Sequence, residues 1–295
     1  MTAARIALLP DRGVVRVAGE DAEKLLQGII TNDMALLADR SAIHASLLTP
    51  QGKILFEFFV VKATDGFLLD TGREQADGLI KRLMMYKLRA KVDIADANDA
   101  YRVYALWGPS VTGPGETSQT FSFRDPRLPA LGLRILAEAG FAADVASASN
   151  GFDASLEDYH AHRIALGVPE GGKDYAFGDS FPHEANFDVL GGISFTKGCF
   201  VGQEVVSRMQ HRGLTRKRIV IVEGDRPLQS GTEITAGAAT VGAIGSVAGN
   251  RGLALLRLDR AEEATGKGEP LIAAGSRITM RLPDYLKPAR EAAAS

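Results

Sequence analysis

The sequence predicts an α+β protein that ends in a separate all-β module. Three observations carry this. Over the first 147 residues, apolar runs of strand length alternate with helix-periodic stretches. Residues 168–186 are rich in glycine and aromatics and show no period. From 219 to 280, short β-branched runs recur between turns at Gly224, Gly231, Gly237, Gly249 and Gly275, the pattern of a small barrel or sandwich. A length of 295 residues suits two or three domains with a sizeable core.

The elements follow in order. Two apolar runs within residues 6–18 flank Asp11-Arg12-Gly13, which reads as a hairpin turn. Acidic Glu20 and Asp21 open a short helix with Ala22, Leu25 and Leu26 on one face, and Thr31-Asn32-Asp33 ends it. Residues 42–48 read as a strand, Thr49-Pro50-Gln51-Gly52 as a turn, and 54–61 as a second strand rich in aromatics. After a turn at Asp65-Gly66, the spacing of Ala76, Leu79, Ile80, Leu83 and Met84 predicts a helix over 73–88 with that stripe in the core. Strands are expected at 91–94, 101–106 and 131–136, and a helix at 157–166 closed by Gly167. A further helix is expected over 203–210, followed by a basic stretch holding Arg208, His211, Arg212, Arg216, Lys217 and Arg218.

Composition excludes several classes of function. With 34 Lys+Arg against 36 Asp+Glu, the formal net charge of -2 exerts no bulk attraction on phosphate polymers, so no nucleic-acid partner is expected. A single cysteine cannot close a disulfide or build a zinc ribbon. The apolar run from Ile6 to Leu9 is too short for a signal-peptide core, and the uncharged stretch at 234–250 is too weakly apolar to span a bilayer. The expectation is a cytoplasmic protein without a membrane anchor.

The stretch Lys197-Gly198-Cys199-Phe200-Val201-Gly202-Gln203-Glu204 concentrates the chemistry. Two glycines around the cysteine suit a sharp bend, and Lys197 with a following helix N-terminus favours the thiolate. A lone cysteine is often a small buried hydrophobe, but this setting suits an exposed, functional thiol. His44, His160, His162, His183 and His211 form no recognisable nucleophile–base motif, and the two-residue spacing of His160 and His162 is not that of a helical zinc pair. No Gly-x-Gly pattern has the context of a nucleotide loop. The basic stretch after the loop suits either a polyanionic ligand, such as a polyglutamate tail, or a solvated face.

The eight residues KGCFVGQE resemble the signature of the YgfZ family, tetrahydrofolate-binding proteins of iron-sulfur cluster assembly or repair, related in fold to glycine-cleavage aminomethyltransferase. Similarity extends to Thr31-Asn32-Asp33, to 48–54, to Phe67-Leu68-Leu69-Asp70, to Arg163 with Gly167-Val168-Pro169, to Pro182-His183-Glu184-Ala185-Asn186 and to Arg212-Gly213. The resemblance implies an aminomethyltransferase-like ring of three domains. These are a discontinuous folate-binding domain (1–51 and 148–213), an inserted ferredoxin-like domain (52–147) and a C-terminal β-barrel (214–290).

By the same resemblance, Asn32, Gln51, Arg163, Glu184 and Asn186 are candidates for the folate site. Glu184 is suited to an aminopterin edge and Arg163 to holding that glutamate or meeting a carboxylate. The related aminomethyltransferases carry paired Asp residues where this chain has Phe56 and Glu57, which weakens an aminomethyltransferase reading. The expectation is therefore an assembly factor rather than an enzyme, with Cys199 as functional thiol and shared cluster ligand, and with Lys197, Gly198, Phe200, Gly202, Gln203 and Glu204 as its motif. An iron-sulfur cluster takes about four ligands, so one cysteine implies a transient cluster shared with a partner, an A-type carrier or a client iron-sulfur enzyme. A folate-dependent one-carbon enzyme working through Glu57 is the alternative.

Overall fold

The computed structural model describes residues 3–213 and 215–287. The chain divides into two compact units. One comprises the chain up to Pro50, Leu55–Tyr159 and Gly191–Gln203; the other comprises Gln51–Ile54, His160–Leu190 and the chain from Glu204 onward.

The first unit holds β1 (Arg5–Leu8), β2 (Arg12–Ala18), α1 (Ala22–Ile29), β3 (Ala42–Leu48), β4 (Ile54–Ala63), β5 (Gly66–Gly72), α2 (Ala76–Lys87), β6 (Asp93–Asp96), β7 (Tyr101–Trp107), β8 (Thr120–Arg124), β9 (Leu133–Glu138), α3 (Ala142–Ala148) and β10 (Phe152–Asp153). They build two five-stranded sheets, ordered β3-β4-β5-β2-β6 and β10-β1-β7-β9-β8. Side chains on alternate positions explain the layering. Along β4, Phe56, Phe58 and Val60 join a core with α1 and α2, whereas Phe59 and Val61 join Val103, Trp107, Phe123 and Leu136 of the other sheet. Both faces of β4 are thus buried, so the strand reads as a continuous apolar run.

Three expectations meet a different arrangement. β1 and β2 are not a hairpin, because β1 is paired on both edges by β7 and β10, and β2 by β5 and β6, which leaves neither strand an edge for the other. The expected boundary between 51 and 52 falls between neighbours in one sheet, since β3 pairs with β4, and the strands of 52–147 are shared between two sheets. Backbone donors of a central strand need partners on both sides wherever the chain supplies them. Finally, Ala76, Leu79 and Leu83 of α2 are buried, but Met84 is 49% exposed and lies off the core stripe.

α4 (Leu156–Leu166) and α5 (Gln203–Arg212) follow, with no α-helix or multi-residue strand between them among the described residues. Gly167 ends α4 at φ 78, and a Cβ there would lie 2.5 Å from Pro283, so glycine is required on two counts. The second unit is completed by β11 (Lys217–Gly224), β12 (Glu233–Ala236), β13 (Ala239–Ala248), β14 (Arg251–Arg257), α6 (Leu258–Gly266), β15 (Leu271–Ala273) and β16 (Ser276–Arg281). The six strands close a barrel in the order β11-β14-β13-β12-β15-β16, as the terminal all-β pattern predicts. α6 is not anticipated by the all-β pattern of 219–280. Its apolar contacts with the barrel core come from Leu258, Ala261 and Ala264, mostly too small to mark a helical stripe.

Candidate functional site

Two sequence motifs separated by some 160 residues bind each other in the first unit. After α1, the Thr31 amide donates to Ser46 O of β3 at 2.9 Å, and Thr31 Oγ1 accepts from the Ser46 amide. Ile30 is extended and Thr31 and Asn32 bend after it, with the carbonyls of all three available to the loop that starts at Gly191. That loop takes all three. Lys197 Nζ donates to Ile30 O at 2.8 Å and Asn32 O at 2.7 Å, while the Ser194 amide donates to Thr31 O at 2.9 Å. In return Thr31 Oγ1 donates to Gly192 O, and Asn32 Nδ2 donates to Gly191 O and His44 O.

Lys197 is therefore the clasp of the loop. Burial lowers its pKa from 10.5 to about 8, with Asp33 opposing that shift. The two carbonyl dipoles accept from the ammonium without cancelling its charge, so the desolvation cost persists. Its ammonium also lies 5.4 Å from the centroid of the buried Phe200 ring. Gly198 and Cys199, between these two buried side chains, are exposed. The expected bend uses only one of the glycines. Gly202 sits at φ 80 directly before α5, whereas Gly198 is not in the left-handed region and a Cβ on it would meet open space. Gln203 opens α5 with its amide bonded to Phe200 O, and Glu204 forms an exposed pair with Arg208 at 2.7 Å.

The other candidate position in the first unit is Glu57. It is buried on β4 and pairs with buried His44 of β3, Oε1 to Nε2 at 2.9 Å. Burial lowers the pKa of His44, which favours a neutral imidazole that donates Nε2–H to the carboxylate. Beside them lies a buried ionic network of which the sequence marks Asp70, through the resemblance, but not its arginine partners. Asp70 accepts from Arg12 at 2.7 Å and from Arg134 at 3.1 Å, and Asp125 accepts from Arg127 at 2.7 Å. The guanidinium carbons of Arg127 and Arg134 lie 4.8 and 4.7 Å from the centroid of the Phe59 ring.

Asn32 lies in the first unit, and the remaining folate candidates belong to the second. Gln51 is exposed in the turn before β4. Arg163 is fully buried, with Nη1 on Asp174 at 2.7 Å, Nη2 on Ser246 at 2.6 Å and Nε on His160 at 2.9 Å and near Glu170 at 3.2 Å. Asn186, at φ 62, donates to Ile219 O and Tyr285 Oη. Glu184 accepts the Phe181 amide through Oε2. Asn32, Arg163 and Asn186 thus spend their donors within the fold. Among the described residues, Gln51 and Oε1 of Glu184 retain polar atoms for a ligand, so the donor set fits a pterin edge at Glu184 better than a carboxylate clamp at Arg163. In the basic stretch, Arg216 and Arg218 line a cleft of about 490 Å³ with His183, Gln210, Asp259 and Glu262, and Asp188 already pairs with Arg218 at 2.6 Å.

Comparison with known proteins places this chain in a family. Residues 11–113 match the GCVT N-terminal domain, and 216–288 match the CAF17 C-terminal beta-barrel domain. The iron-sulfur cluster assembly factor IBA57, mitochondrial, of Homo sapiens is 34% identical over 274 residues, covering 84% of this chain and 76% of that protein. The homologue from Pyricularia oryzae is 32% identical over 294 residues, covering 90% and 75%. The homologue from Mycosarcoma maydis is 38% identical over 229 residues, and this chain spans 56% of its length. Among solved structures, the glycine cleavage system aminomethyltransferase T from Bartonella henselae superposes with a TM-score of 0.78 over 96% of this chain and 86% of that one. At 16% identity this likeness shows the fold alone. With an aminomethyltransferase-like fold and a closed six-stranded C-terminal barrel, the chain belongs to the CAF17/IBA57 family.

Proposed function

We propose that this protein serves iron-sulfur cluster assembly, presenting Cys199 as the thiol that engages a cluster held in common with a partner, and that it binds tetrahydrofolate or a derivative. One observation carries the reading. The only thiol in the chain is exposed on a loop fastened at its base by a buried lysine, so its position is set by the fold while the sulfur stays accessible. The names of the relatives, iron-sulfur cluster assembly factors, support the same role. The cluster is cargo. About four ligands are needed and one cysteine is present, so the remaining ligands come from an A-type carrier or a client iron-sulfur enzyme.

Within the family, KGCFVGQE groups the chain with the YgfZ proteins, and Glu184 and Gln51 are its folate contacts, while Asn32, Arg163 and Asn186 shape the surrounding backbone. The relatives are named as mitochondrial; the cytoplasmic location expected from the sequence stays part of the proposal, and cell fractionation decides it. Among the described residues no helix is long and apolar enough to cross a membrane.

A second reading, a folate-dependent one-carbon enzyme, draws on the buried Glu57–His44 pair, an oriented carboxylate of the kind used in acid–base chemistry. Rescue of a deletion strain separates the two. In the assembly reading Cys199→Ala fails to restore iron-sulfur enzyme activity and Glu57→Gln restores it; the opposite pattern favours the enzyme. Titration with tetrahydrofolate tests the ligand, and an absence of saturable binding removes folate from the proposal.

A further inference from the structure

The outer face of α2 departs from what a solvated helix shows. Its inner side is accounted for, since Ala76, Leu79 and Leu83 are buried and Ile80 and Tyr86 pack on the same core. Its last turn exposes Met84 at 49%, Met85 at 66% and Leu88 at 86%. Seven large hydrophobic residues are exposed among those described, and three of them fall within these five positions. Scattered exposed apolar residues are ordinary, but a cluster of this kind marks an interaction surface. Leu88 adds to the case. It ends the helix at φ 46 and ψ -108, a region non-glycine residues rarely adopt, and it gains no burial there.

Charge decides the occupant. Residues 79–92 carry Lys81, Arg82, Lys87, Arg89 and Lys91 and no acidic residue. Among the described residues Lys91 pairs with Glu20, whereas Lys81, Arg82, Lys87 and Arg89 enter no ion pair. A second copy of this chain would set the same cations face to face across a two-fold axis. A membrane-surface helix would present a longer apolar face with exposed Trp or Phe, and α2 has 12 residues with neither. We propose that the end of α2 docks an acidic protein partner, whose apolar centre covers Met84, Met85 and Leu88 while its carboxylates meet Lys81, Lys87 and Arg89. Methionine suits such a surface because its flexible side chain adapts to the shape it meets. The patch does not include Cys199, and the inference stands or falls apart from the cluster chemistry.

The test installs a photo-cross-linking residue at Met85 of the full chain in cells, identifies the adduct by mass spectrometry and titrates the purified partner. The expected result is an adduct with one acidic protein, joined through a peptide rich in Asp or Glu. Its affinity for the chain should fall by roughly tenfold or more with Lys81→Glu plus Arg89→Glu and again with Met84→Asp plus Leu88→Asp, and should weaken with salt. Circular dichroism of both double variants should match the wild type because the altered side chains are exposed; Lys81→Gln plus Arg89→Gln serves as a milder pair if either does not fold. An adduct of twice the chain's mass, binding to phosphatidylglycerol vesicles through the same residues, a partner indifferent to all these variants, or no adduct overturns the proposal.

Discussion

Lys197 and Arg163 are both buried cations that the sequence marks as functional, and the structure satisfies them in opposite ways. Arg163 meets Asp174 and Glu170, so its charge is cancelled within the second unit. Lys197 donates to the carbonyls of Ile30 and Asn32 in the first unit and forms no ion pair among the described residues, so its charge is only weakly offset by Asp33. The difference shows how similar burial can serve two ends. A guanidinium held between carboxylates is a permanent brace, whereas an ammonium held by dipoles is a clasp with a lowered affinity for its proton.

Breaking the brace should have the largest effect. Arg163→Met leaves the Asp174 carboxylate, 1% exposed, without its cation and should cost about 3–5 kcal/mol in denaturant melts of the full chain. A loss below about 1 kcal/mol would show that water or a neighbour replaces the guanidinium. Breaking the clasp should cost less. Lys197→Met removes an unneutralised charge together with its hydrogen bonds, so a net loss of about 1–3 kcal/mol is expected from the unpartnered carbonyls. The same variant should free the Cys199 loop, read as faster amide exchange over residues 194–200, while exchange in the barrel stays unchanged.

The contrast sharpens with pH. Lys197 has a pKa of about 8 in the folded chain against 10.5 ordinarily, so between these values the unfolded chain holds more protons and wild-type stability rises with pH. Below pH 8 both states are protonated and the desolvation penalty is fully present. The margin of wild type over Lys197→Met should therefore grow from pH 8 to 10, as melts at each pH would read; a flat margin contradicts the lowered pKa. Arginine offers no such window. The smallest effect should come from Glu204→Ala, which breaks an exposed i,i+4 pair with Arg208 worth about 0.3–0.5 kcal/mol, barely resolved in the same melts.

Sequence and structure agree where local chemistry decides the outcome. β3 spans Ala42–Leu48 as expected, and the run of glycine turns marks the barrel. The motifs Thr31-Asn32-Asp33 and KGCFVGQE are both legible, but their mutual clasp is not, because Lys197 and Ile30 stand 167 residues apart and no local pattern records the contact. Arg12, Arg127 and Arg134 escape notice for another reason. Charged residues ordinarily lie at the surface, and only the pairing of two sheets around Phe59 reveals that these are inside. Met84 errs the other way, apolar and correctly spaced yet turned to solvent at the helix end.

The most direct measurement is an anaerobic titration of a cluster-loaded A-type carrier with this chain, followed by visible circular dichroism of the cluster. If Cys199 joins a shared cluster, the wild type should shift the spectrum to saturation and Cys199→Ala should leave it as that of the carrier alone. An identical shift with Cys199→Ala would contradict a role for the thiol in holding the cluster.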